Sequence, residues 1–112
     1  MEQNPKYIQA QKEGKAPLEY LPLDILPDLA QVLKHGADKY GIRNWRESEI
    51  LLSTYKGAIL RHLMAWSSGE AIDGDSGKNH LYHIMACCAV VLDAERYGKT
   101  VDDLNVTETK EV

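Results

Sequence analysis

Two long, mostly apolar runs, Ser48–Ser67 and Ser76–Tyr97, flank one short polar loop, SGEAIDGDSG. Leu51, Leu52, Tyr55, Ile59, Leu63 and Trp66 recur at helical spacing in the first run. Leu81, Ile84, Met85, Cys88, Val91 and Leu92 do so in the second. Two helices joined by so short a loop must lie side by side and antiparallel. The first is nearly apolar on two faces, so it expects to be buried on more than one side.

A third helix is predicted from about Asp24 to Tyr40. Asp24 is its N-cap, Pro27 lies in its first turn and Gly41 is its stop. Ser48 caps the next helix, and Asp75 or Ser76 the last, which Gly98 ends. Gly57, in mid-helix, suits a close helix approach. Residues 1–16 read as a polar, extended or frayed arm, 17–98 as the helical domain and 99–112 as a partly disordered tail. Prolines 17, 22 and 27 continue the arm as an extended strap. No strand-like alternation of useful length occurs. The fold class is therefore all-α: a small helical bundle of about three main helices with an extended N-terminal arm. The helices carry more apolar surface than three can bury, so a homo-oligomer is expected.

At 112 residues this is one domain, and its net charge of −4 argues against coating DNA or RNA. No nucleic-acid polymer and no membrane are expected as partners. The longest apolar stretch falls short of a membrane span, and the N-terminus lacks a signal-peptide core, so a cytoplasmic location is expected. Cys87 and Cys88 are adjacent on a helix, which suits neither a disulfide nor a zinc knuckle. Both read as small buried apolar residues.

The hairpin also concentrates the chemistry. His62, His80 and His83, with Glu70, Asp73 and Asp75, all fall between Arg61 and His83. Imidazoles on two helices face carboxylates on one loop. His62, His80 and Asp73 are candidate ligands of a divalent metal ion. Mg, Mn, Co and Zn are all candidates, although a mixed nitrogen and oxygen set favours Mn, Fe, Co, Zn or Ni over Mg. Glu70 and His83 are candidate proton acceptors. The alternative is that His62 and His83 are satisfied interior histidines and that the acids are turn and cap residues, with Asp73 before Gly74 forming a turn.

A second stretch, His35–Trp45, offers Lys39 and Arg43 as cations, Asn44 as an amide and Trp45 as a flat apolar face. Together they suit a nucleotide: stacking, base-edge hydrogen bonds and phosphate neutralisation. Tyr40 and Trp45 can equally be core anchors. Arg61, a cation on a largely apolar helix, expects an anionic partner, either a loop carboxylate or a ligand phosphate.

The ordered segments GKAPLEYLP, GADKYGIRNW, LRHLMAWSSGEAIDGDSG and HLYHIMACCAVVLD resemble the phage-associated dATP/dGTP diphosphohydrolase family, N-terminal domain type, over roughly Gly14 to Glu95. The matching positions are Lys15, Gly36, Lys39, Tyr40, Asn44, Trp45, Arg61, His62, Trp66, Glu70, Asp73, His80 and His83. The resemblance implies an all-helical protein, in the host cytoplasm if phage-encoded, that hydrolyses purine deoxynucleoside triphosphates. Lys15, Lys39, Arg43, Asn44, Trp45 and Arg61 are then the ligand-binding candidates. Other all-α nucleotide pyrophosphohydrolases resemble one another through E-x-x-E and E-x-x-D pairs that hold magnesium. This chain has no E-x-x-E on its first two helices, and His80-x-x-His83 stands where E-x-x-D is expected. Either histidines hold a softer metal, or the protein is a non-catalytic phage nucleotide-binding protein that sequesters a nucleotide signal or metabolite.

Overall fold

The structure is a computed structural model, which describes residues 3–105. Four α-helices account for most of these residues: α1 (Pro5–Lys12), α2 (Leu26–Tyr40), α3 (Leu52–Ser67) and α4 (His80–Arg96). Two short strands, β1 (Ile50–Leu51) and β2 (Thr100–Val101), complete the frame.

Helix α4 is the centre, and α2 and α3 pack on it from different sides. Between His80 and Leu92 its sequence holds no Asp, Glu, Lys or Arg, which lets it accept neighbours on more than one face. The buried apolar residues are Val32, Ile50, Ala86, Val90 and Ala94, with Leu33, Trp45, Tyr55 and Val91 packed against them. Leu33 brings α2, and Trp45 the 44–46 turn, onto this cluster.

Several ends differ from their expected places. Helix α3 begins at Leu52 rather than Ser48, because residues 50–51 pair in parallel with 100–101, in register Ile50↔Thr100 and Leu51↔Val101. Ser48 caps nothing. Asp103 instead accepts from the Ser53 N–H at 2.8 Å and from its hydroxyl. Residues 99–105 are thus ordered, and the rest of the expected tail lies outside the described residues.

Helix α4 begins at His80 rather than Ser76. Its cap is Asn79, whose side chain accepts from Leu81 N–H at 2.8 Å. Asp75 and Ser76 have other partners. Asp24 does not cap α2 either: it lies in the 3-10 turn Leu23–Ile25, and α2 starts with no side-chain cap. The stops at Gly41 and Gly98 are as expected, with Gly41 N–H on Ala37 at 2.8 Å and Gly98 N–H on Glu95 at 3.1 Å.

The arm is not extended. Asn4 caps α1 through Lys6 N–H and Pro5 sits in its first turn. That helix buries nothing. Gly57 does not serve close helix packing, since a Cβ there would meet only the Arg61 guanidinium, at 3.1 Å. Cys87 is half-buried and Cys88 is exposed, against the expectation that both are interior.

Candidate functional site

The 68–79 loop folds back on itself before α4 starts. Asp73 N–H donates to Lys78 and His80 N–H to Ala71, each at 2.8 Å. An antiparallel bridge pairs Ile72 with Asn79. This small β-turn carries Glu70 and Asp73 up to the first turn of α4, opposite His62 on α3.

The result is a compact cluster of titratable groups. One ligand atom each from His62, Asp73 and His80 lies within 4.8 Å of the others. His62 Nδ1 and His80 Nδ1 are 2.8 Å apart. The other nitrogen of His80, Nε2, lies 2.7 Å from Glu70 Oε2. His80 is 3% exposed, so Glu70 and His62 satisfy both edges of a buried ring. A carboxylate accepts, so His80 Nε2 carries the proton and its Nδ1 lone pair faces His62.

His83 sits beside this trio. Its ring stacks on His62 with centroids 4.4 Å apart and planes 12° from parallel. Ser76 Oγ lies 2.6 Å from His83 Nε2, and Asp73 Oδ2 lies 3.4 Å from the same nitrogen. Serine, histidine and aspartate here do not form a nucleophilic triad. A triad needs the carboxylate on the far ring nitrogen from the serine, and Asp73 approaches the near one while accepting Ser76 N–H at 2.9 Å.

Burial, then the charges of neighbouring rings, hold the His83 imidazole below its ordinary value. Burial also lowers His62, with Asp73 pulling the other way. Both rings are therefore neutral near pH 7, the form that coordinates metals and accepts protons. Burial raises the Asp73 carboxyl, but the Ser76 N–H and hydroxyl and the His83 and His62 rings outweigh it, and the net shift is downward. Asp73 is therefore an anion.

A cavity of about 230 Å³ opens next to His83, between α2 and α4. Lys39, Asn44, Trp45, Tyr55, Cys87 and Val90 line it, and His35 and Asp75 stand at its rim. Asp75 accepts from Lys39 Nζ and from His35 Nε2, each at 2.9 Å. These two partners hold the Asp75 carboxyl at about 2. Trp45 is at once wall and anchor: its indole N–H donates to Asp93 at 2.7 Å, and it packs on the Ile50, Val90, Ala94 cluster. Asn44 donates to Gly41 O at 3.1 Å, holding the α2 exit turn.

Not every candidate is gathered here. Lys39, Asn44, Trp45 and His83 share the cavity. Arg43 does not line it but lies on an adjoining apolar groove with Ala30 and Ile42, which shares Leu33, Ala37 and Trp45 with the cavity. Lys15 pairs with Glu13 at 3.0 Å, near the arm. Arg61 lies over Gly57 and forms none of the ion pairs among the described residues. The expected loop-carboxylate partner for Arg61 is thus absent there. His35, Ser76 and Asp93 carry site geometry that spacing alone did not reveal. For His35 the signal was present, since it stands at i, i+4 with Lys39 and so shares a face with it.

The profile of the family described as dATP/dGTP diphosphohydrolase, N-terminal, matches residues 5–104. The chain belongs to that family. It is also 31% identical, over 71 residues, to a dATP/dGTP diphosphohydrolase of Salmonella phage PMBT28. That match covers 63% of this chain and 24% of the relative, so the chain spans about a quarter of the length of the protein it resembles. No solved structure matches it. The family match runs wider than the motif segments, taking in α1 and β2. Among the described residues no helix is long and apolar enough to cross a membrane.

Proposed function

We propose that this chain forms the nucleotide-handling and metal-binding part of a phosphohydrolase acting on dATP and dGTP. The observation that carries the reading is the convergence of His62, Asp73 and His80 within 4.8 Å, with Glu70 behind His80. A ligating histidine commonly donates its far N–H to a carboxylate, which fixes the tautomer and strengthens the ligand. The His80 ring has that arrangement. Two nitrogen ligands of one tetrahedral ion, at about 2.0–2.1 Å each, stand about 3.3 Å apart. The 2.8 Å between His62 and His80 needs only a small ring movement to match. The donor set fits a divalent ion of the Mn, Co or Zn kind better than Mg.

A divalent ion held there supplies positive charge against a substrate phosphate and acidifies water. The chain's own residues do the rest. His83 is neutral, lies against His62 and reaches the cavity, so it is placed to accept a proton, with Ser76 holding its ring. Glu70 orients His80. The cavity takes the nucleoside, with Trp45 and Tyr55 offering aromatic surface and Asn44 a base-edge amide. Lys39 is the cation nearest the phosphates. The test is isothermal titration of the apo protein with Zn, Mn, Co and Mg, paired with chromatographic assay of dATP and dGTP in each metal. Tight binding that is lost in His62→Ala, with triphosphate consumed, is the expected result. No metal binding and no turnover would sink the reading.

One observation favours a second reading, in which the chain binds a nucleotide without cleaving it. Of the four candidate cations, only Lys39 lines the cavity, and it is paired with Asp75. A cavity with so little free positive charge is lean for stabilising a triphosphate in a transition state. On this reading dATP binds and is recovered unchanged.

A further inference from the structure

The cavity beside the histidine cluster has two unlike ends. His83 marks one, with Lys39, His35 and Asp75 around it. Val90 marks the other, about two turns, or roughly 10 Å, further along α4. Tyr55 belongs to that second end. It precedes His62 by about two turns on α3, and its ring packs on the Ile50, Val90, Ala94 cluster. A nucleotide with its phosphates at the histidine end therefore points its base towards Tyr55. The volume of about 230 Å³ exceeds the roughly 150 Å³ that holds a single benzene ring, which leaves room for a fused two-ring base.

Most polar groups on this wall are already committed. The Trp45 N–H donates to Asp93, an Asn44 N–H to Gly41, and Lys39 and His35 to Asp75. Ser76 holds His83 Nε2. Tyr55 is different: its hydroxyl makes no hydrogen bond among the described residues. Burial pushes that hydroxyl up, and the titratable groups acting on it, Cys87 and Tyr40, both line the cavity. The phenol thus turns its polar end into this space and stays protonated at neutral pH. A tyrosine hydroxyl taken out of water normally has a partner, and the described residues supply none.

We propose that Tyr55 is a specificity-determining residue, whose hydroxyl hydrogen-bonds the substituent at position 6 of a purine base. This rests on the nucleotide reading above. Position 6 lies on the purine edge remote from the sugar, the edge that reaches the Val90 end. Adenine carries an amine there and guanine a carbonyl. A hydroxyl offers one donor and two lone pairs on a rotor, so it accepts from the amine and donates to the carbonyl. One group then serves both bases, where a fixed carbonyl or N–H would serve only one. A pyrimidine, one ring shorter, leaves the hydroxyl unpaired, and a buried group left unpaired rejects the ligand.

Titration calorimetry with deoxynucleoside monophosphates tests this, since they offer base and sugar but no phosphoanhydride to cleave. The probes are dAMP, dGMP, dTMP and the purine deoxynucleotide with hydrogen at position 6. Wild type is expected to bind dAMP and dGMP about tenfold tighter than the other two. Tyr55→Phe is expected to bind all three purines alike. A merely structural tyrosine would weaken every probe by the same factor and keep the ratio. Equal ratios in wild type and Tyr55→Phe, with dAMP bound, overturn the inference and leave the nucleotide reading standing. So does a wild type that treats the 6-unsubstituted purine like dAMP, a result that needs no variant. Where dATP is consumed, kcat/KM for it against the 6-unsubstituted triphosphate should show the same preference, and a preference that survives Tyr55→Phe overturns the inference equally. A wild type that binds no probe and consumes no triphosphate overturns both readings.

Discussion

The Glu70 carboxylate meets His80 Nε2 at 2.7 Å, on the ring edge turned away from His62. That placement separates two roles for Glu70. A proton acceptor would have to reach the substrate, whereas an orienting partner only has to hold the ring. Glu70→Gln keeps a carbonyl oxygen for His80 N–H, and Glu70→Ala does not. We expect Gln to keep most metal affinity and Ala to lose about 10–100-fold, measured by titration calorimetry. Nitrogen NMR of the apo protein should show His80 protonated at Nε2 in wild type and mixed in Glu70→Ala. An inactive Glu70→Gln with unchanged metal affinity would return Glu70 to the proton-acceptor role.

Gly41 ends α2 with φ 97° and ψ 149°, a region open almost only to glycine. Nothing lies within 4 Å of where its Cβ would be, so the penalty of a side chain is purely backbone strain. Gly41→Ala should cost about 1–3 kcal/mol in urea unfolding. It should also disturb the Asn44 wall of the cavity, because Asn44 donates to the Gly41 carbonyl. Unchanged stability would show that the turn relaxes freely.

Asp93 gathers Trp45 Nε1 and Arg46 Nε at 2.7 Å and Arg46 Nη2 at 3.1 Å. Arg46, then Trp45, hold its carboxyl at about 2, below the ordinary 3.8. The folded value lies below the unfolded one, so this stabilisation is complete above about pH 4 and is lost as pH falls through 2. Asp93→Asn should be less stable than wild type at pH 7, and the gap should close towards pH 2. A gap that stays constant with pH would assign the effect to packing rather than charge.

Asp103, beyond β2, caps α3 through Ser53 N–H at 2.8 Å. Asp103→Ala should cost about 1 kcal/mol, read as a lower thermal midpoint. Loss of His62 alignment should follow as weaker metal binding. Full metal affinity in a destabilised variant would show that the α3 start and the site are independent.

Much of the frame was legible along the chain. The spacing of Leu, Ile and Trp marked α2, α3 and α4, and Gly41 and Gly98 marked two of their ends, because helix period and glycine conformation are local properties. The helix starts were not legible. Ser48 and Asp75 are good capping residues, but long-range partners set both starts: β2 and Asp103 for α3, and the Ile72–Asn79 bridge for α4.

The same division holds at the site. Sequence alone determined that imidazoles on two antiparallel helices would meet acids on one short loop, since hairpin connection and residue type leave little choice. It did not determine which atoms meet. Only the fold set Glu70 behind His80, turned Asp75 to His35 and Lys39, and kept Arg43 and Arg61 out of the cavity lining. Those outcomes depend on the Ile72–Asn79 bridge that folds the loop back and on the packing of α2 and α3 against α4. Both join residues far apart along the chain or across a turn, and no helical period records them.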